Sequence, residues 1–96
     1  MDIEGRLIRA HVELHVRPKD GRDPTFVSVM RCGAYEVRLV EPAPGSPDAF
    51  VFRLELFDNN RGLSLDSGSA EDFEEALTIA EELVSQAEQL SKRSNN

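Results

Sequence analysis

The sequence predicts an α+β domain: an antiparallel β-meander of three to five strands with one long C-terminal amphipathic helix packed on one face. Three observations predict it. Residues 70–90 repeat apolar side chains at helical spacing. Two upstream stretches, 7–17 and 49–58, alternate apolar and polar residues. The segments between them are rich in Pro, Gly, Asn and Asp. The expected layout is one domain over residues 1–96, with the sheet at about 7–65, the helix at about 70–90 and a fraying tail at 91–96.

In the C-terminal segment, Phe73, Ala76, Leu77, Ala80, Val84 and Ala87 form one stripe. Its central alanines let a helix lie close to a sheet. Ser69 is the expected N-cap, with Asp72 three positions later as a variant of the capping box. Glu71, Asp72, Glu74 and Glu75 crowd the positive end of the helix dipole, and Lys92 and Arg93 sit at the negative end. Ile79, Leu83 and Leu90 fall roughly 60–100° to one side of the stripe, at 100° per residue. They either sink into the sheet's groove or form an edge that meets a second copy or a partner.

Ninety-six residues make one domain with a single modest core. With 40% hydrophobic and 30% charged residues, the chain reads as globular rather than disordered. It contains no apolar run long enough to span a membrane. The N-terminus Met1-Asp2-Ile3-Glu4 has no basic flank leading into an apolar stretch, and the lone Cys32 has no internal disulfide partner. Both features favour a reducing, cytoplasmic setting. The net charge of −7 is uneven: residues 1–61 hold nine basic and ten acidic side chains, and residues 62–96 hold two and eight. The sheet portion is thus nearly neutral and the helix portion acidic. This argues against binding a phosphate backbone, whose affinity comes from Lys and Arg.

From Leu7 to Arg17, Ile8, Ala10, Val12, Leu14 and Val16 alternate with Arg9, His11, Glu13, His15 and Arg17. That is the pattern of a half-buried strand. A helical reading groups Ile3, Leu7, Ala10 and Leu14 on one face but leaves Val12 and Val16 opposite it. The strand is therefore preferred. Residues 18–24 form a turn or short loop by their Pro and Asp-Gly content. Between Thr25 and Val40 the apolar parity switches, from Phe26, Met30 and Cys32 to Tyr35, Val37 and Leu39. An unbroken strand of this length would span roughly 53 Å, in a domain only about 32 Å across. A bend, bulge or turn is therefore required near Gly33, with a bend or bulge preferred over a turn. Residues 41–48, with three prolines, form a loop. In residues 49–58, Phe50, Phe52, Leu54 and Leu56 face one way; Val51, Arg53, Glu55 and Phe57 face the other. Asp58-Asn59-Asn60-Arg61-Gly62 is a turn, and Leu63-Ser64-Leu65 a short last strand.

No motif in the chain specifies a chemistry. His11 and His15 on a strand stand about 13 Å apart, too far to share a metal ion whose ligands sit near 2 Å. No further His and no second Cys join them. No metal or cofactor is expected. Cys32 lacks a visible base and reads as a structural thiol. The helix carboxylates are uniformly solvated, unlike a catalytic pair, whose environments differ. Phosphate-loop, dinucleotide and nucleophile-elbow patterns are absent from the sequence. An enzyme is not expected.

The open sheet face is the better candidate. It is expected to carry Arg9, His11, Glu13, His15, Arg17, Glu36, Arg38, Val51, Arg53, Glu55 and Phe57, with some of Val27, Val29 and Arg31. Arginine suits planar recognition of carboxylates and phosphates, although interleaved Glu13, Glu36 and Glu55 also suit plain cross-strand pairing. The candidate binding residues are Arg9, His11, His15, Arg38, Arg53 and Phe57. Ile79, Leu83 and Leu90 form a second candidate surface on the helix edge. The expected partner is a protein or a second copy of the chain, with no membrane. The alternative is nucleic acid or an anionic ligand on the arginine face. Stacking platforms for single strands are scarce there, with Phe57 alone in place.

The phrase Ser69-Ala70-Glu71-Asp72-Phe73-Glu74-Glu75-Ala76 after a strand pair resembles small bacterial domains with a few antiparallel strands and a single C-terminal helix. That resemblance implies a fold and no activity. If residues 2–14 were helical, the order would also look similar to the α-β-β-β-α double-stranded-RNA-binding domain. That family carries a lysine-rich start on its last helix, where this chain has Glu71, Asp72, Glu74 and Glu75. RNA binding is therefore not implied.

Overall fold

The computed structural model describes residues 2–16, 26–41 and 52–94. Among these, the element order is α1 (Ile3–Val16), β1 (Phe26–Cys32), β2 (Tyr35–Val40), β3 (Phe52–Asp58), β4 (Leu63–Ala70) and α2 (Phe73–Ser94). The four described strands form one antiparallel sheet in the order β1-β2-β3-β4. Both helices share a core with one side of it. Leu7, Ala10 and Leu14 of α1 join Val37, Leu39, Leu54 and Leu56 of the sheet and Ala76, Ala80, Leu83, Val84 and Ala87 of α2. The predicted α+β class, with a meander and a long C-terminal helix on one face, is the observed one.

The segment read as the first strand is a helix. Leu7, Ala10 and Leu14 are 0%, 2% and 7% exposed, while Ile8, Val12 and Val16 are 47%, 56% and 73% exposed. At 100° per residue the two sets centre roughly 170° apart. The alternation in the sequence is therefore real, but it arises from two stripes on opposite sides of one helix. Asp2 starts the helix: its Oδ1 accepts from the Gly5 amide at 3.0 Å, and its carbonyl accepts from Arg6 at 3.1 Å. This is an Asp N-cap bonding the N3 amide. The described sheet consequently runs from Phe26 to Ala70, not from residue 7 to 65.

The break near Gly33 is a tight turn, not the preferred bend or bulge. Cys32 pairs with Tyr35 across Gly33 and Ala34. Gly33 has φ of 62°, which only glycine adopts freely at the first position of a two-residue hairpin loop. Such a loop pairs residues of opposite parity, and this accounts for the switch from Met30 and Cys32 to Tyr35 and Val37. A bulge also exists, earlier in the chain. Ser28 pairs with Arg38 and Met30 with Val37, so Val29 is the extra residue. The bulge puts Phe26 and Ser28 on the face opposite Met30 and Cys32. Val27 and Val29, allowed to the open face by the sequence pattern, are buried on the helix side.

The last strand reaches Ala70, which pairs with Phe52. Ser69 therefore lies in β4 and does not cap α2. Asp72 does: its Oδ1 accepts from the Glu75 amide at 2.8 Å. Strand pairing overrides the poor β propensity of Asp66-Ser67-Gly68-Ser69, and Gly68 supplies what α2 needs there. A Cβ on Gly68 would stand 3.0 Å from Ile79 Cγ2. At the other end α2 continues through Ser94, past the predicted fraying point at 91. The predicted loop at 18–24 and all of the predicted 41–48 loop but Glu41, together with Phe50 and Val51, lie outside the described residues.

Candidate binding face

Among the described residues, no element covers the sheet face opposite the helices. β2 and β3 alternate across the sheet: Val37, Leu39, Leu54 and Leu56 point to the core, while Glu36, Arg38, Arg53, Glu55 and Phe57 point away. The centre of the outer face is Arg38. Its guanidinium carbon lies 4.0 Å from the centroid of the Phe26 ring and 3.8 Å from that of Phe57. Register explains this sandwich. Phe57 pairs with Glu36 on the neighbouring strand, Ser28 pairs with Arg38, and the bulge brings Phe26 to the same face. Stacking on both π-faces holds the arginine plane fixed.

The edges of the guanidinium are held as well. Arg38 Nε donates to Glu36 Oε1 at 2.7 Å, and an Nη donates to Asn59 Oδ1 at 3.2 Å. Asn59 is in turn positioned by the turn between β1 and β2, its amide and its Nδ2 both donating to the Ala34 carbonyl. Glu36 is 8% exposed. Burial opposes its charge, but hydrogen bonds from Arg38, Ser28 and Asn59 and the Arg38 charge outweigh it. They hold the carboxyl below its ordinary range. The result is an ordered, partly buried Phe–Arg–Phe ridge, its Arg38 side chain 15% exposed, with its charge largely offset within the sheet.

The other sequence-predicted site residues are placed elsewhere. Arg9 and His11 are on α1, across the core from Arg38. His11 stacks against Phe52, with ring centroids 4.8 Å apart. The side chain of His15, and Arg17, lie outside the described residues. Arg53 is exposed on the outer face beside Val40. Of the predicted helix edge, Leu83 is buried, while Ile79 and Leu90 are half-buried. Leu83 is 2% exposed, Ile79 packs over Gly68, and Leu90 packs against the core. Sequence reasoning missed Phe26 and Asn59. Phe26 was grouped with Met30 and Cys32 because the bulge is not visible in the parity pattern, and Asn59 reads as a turn residue.

A cleft of about 140 Å³ between α1 and β1, rimmed by Arg6, Arg9, Glu13 and Ser28, is small beside the ~300–1,000 Å³ typical of ligand sites. No cluster of metal-binding side chains occurs among the described residues. The Cys32 thiol is pushed up by burial and by the nearby Glu88 charge, both of which disfavour the thiolate. No described helix is long and apolar enough to cross a membrane. Comparison with protein-family models, with curated proteins and with solved structures found no significant match.

Proposed function

We propose that this is a non-catalytic domain that binds a protein through the outer face of its sheet. The observation that carries the reading is the Phe26–Arg38–Phe57 ridge. Aromatic and arginine side chains dominate the energetics of protein interfaces, and they do so best when pre-ordered at the centre of a patch. Two phenyl rings clamp this arginine before any partner arrives, so little side-chain entropy remains to be lost. Arg53, Glu55, Ser28 and Ser67 supply a polar surround on the same face. Because Glu36 offsets Arg38, the ridge offers a guanidinium–aromatic surface more than a bare positive charge. This favours protein over a phosphate backbone, as does the net charge of −7.

The test is site-specific photo-crosslinking in the source cells. A crosslinking residue at Ser67 or Glu55 should give a discrete protein adduct that is lost when Arg38→Ala is added. The same probe at Glu81, on the exposed face of α2, should give none. No adduct from the sheet face, or equal adducts from both faces, would refute the reading. Salt-sensitive oligonucleotide binding abolished by Arg53→Glu would replace it with the anion-binding alternative.

A further inference from the structure

The outer stripe of α1 is a separate matter from the sheet face. Ile8, Val12 and Val16 follow one another at i, i+4 and i+8, are 47%, 56% and 73% exposed, and point away from the core. A helix that buries Leu7, Ala10 and Leu14 has no packing need for a second apolar stripe. Exposed apolar side chains arranged contiguously mark contact surfaces more often than scattered ones do.

The charges beside the stripe identify what meets it. We infer that α1 pairs antiparallel with α1 of a second copy of this chain, across a two-fold axis near Val12. Arg9 and Glu13 both flank the stripe on the same side, roughly 60° and 100° from its centre. A two-fold at Val12 sets Arg9 of each copy against Glu13 of the other. At 1.5 Å rise per residue, Arg9 lies about 4.5 Å to one side of Val12 and the opposing Glu13 about 1.5 Å to that same side. The two charges are thus offset along the axis by only about 3 Å, within the reach of an arginine. Ile8 meets Val16 in the same arrangement. A parallel two-fold pair would instead carry Arg9 and Glu13 of the second copy to the opposite side of the seam, where neither meets its counterpart. The surface is self-complementary, as an isologous contact requires.

Overall charge points to the same face. Residues 3–16 carry two arginines and two glutamates, a net charge of zero in a chain of −7. Two copies meeting at α1 therefore bring together the least like charge. The area is limited. Three apolar side chains from each copy fall short of the ~1,200 Å² buried in stable interfaces, so the dimer is weak and populated at high micromolar concentration or above.

Sedimentation equilibrium across a concentration series tests this, with circular dichroism confirming that each variant keeps its fold. The wild-type chain should show a reversible monomer–dimer equilibrium. Val12→Asp should abolish it. Arg9→Glu and Glu13→Arg should each weaken self-association by roughly tenfold or more through like-charge opposition. An equimolar mixture of those two variants should associate again, because each then presents the charge the other lacks. A strictly monomeric wild-type chain at millimolar concentration overturns the inference. So does a dimer indifferent to Val12→Asp, or charge variants that fail to complement on mixing.

Discussion

Gly68 of β4 lies directly beneath Ile79 of α2, with room between them for a hydrogen and no more. A Cβ built on Gly68 would come within 3.0 Å of Ile79 Cγ2 and 3.3 Å of its Cδ1. Gly68→Val should therefore destabilise the domain by about 1–3 kcal/mol, since overpacking lifts the helix or forces rotamers. Denaturant unfolding measures the loss. Adding Ile79→Ala should recover part of it, giving a non-additive cycle of about 0.5–3 kcal/mol. Simple additivity would show that the close approach is not the cause.

The Arg38–Glu36 pair gives the stability a pH dependence. The folded-state pKa of Glu36 is lowered, so its contribution is present above the unfolded value and is lost as pH falls through the folded one. Wild-type protein should lose its advantage over Glu36→Gln on acidification below the ordinary carboxylate range, and the two should converge. At neutral pH, Glu36→Ala should cost about 1–3 kcal/mol by removing a charged hydrogen bond from Arg38. Thermal melts from pH 7 to pH 3 provide the comparison.

Asp72 caps α2 through the Glu75 amide, whereas Ser69 sits in the sheet ladder. Asp72→Ala should cost about 1 kcal/mol. Ser69→Ala, on an exposed strand position, should change stability by less than about 0.5 kcal/mol. Parallel denaturation of the two variants separates the assignments, and the reverse order would restore the cap to Ser69.

Cys32 should alkylate slowly at pH 8 in the folded protein and rapidly once unfolded, because burial and Glu88 both disfavour the thiolate. Glu88→Gln should speed the folded-state reaction modestly. Fast labelling of the native protein would contradict the half-buried placement of the thiol.

The C-terminal helix and the alternation of β3 were legible because each segment carries a single period over enough residues to exclude the other. Residues 7–16 carry two at once. Val12 and Val16 break the one-stripe helix and complete the strand pattern, and only docking of Leu7, Ala10 and Leu14 on the sheet decides between them. The arginine face was half legible. Arg38, Arg53 and Phe57 follow from strand parity alone. Phe26 joins them through a bulge that inserts one residue at Val29, and one extra residue leaves no mark on composition. Sequence parity does not separate a two-residue hairpin at Gly33 from a bulge, because each shifts parity by one.

The doubled pattern of α1 also bears on what holds it helical. A 14-residue helix with Gly5 in its first turn and four β-branched residues (Ile3, Ile8, Val12 and Val16) is marginal in isolation. The same residues are capable of extending and pairing edge-on with another chain. In the folded domain they are held as a helix by Leu7, Ala10 and Leu14, which join Val27 and Val29 in one core. The first described element thus takes its helical form from contacts made far along the chain, and a substitution that loosens β1 should loosen α1 with it.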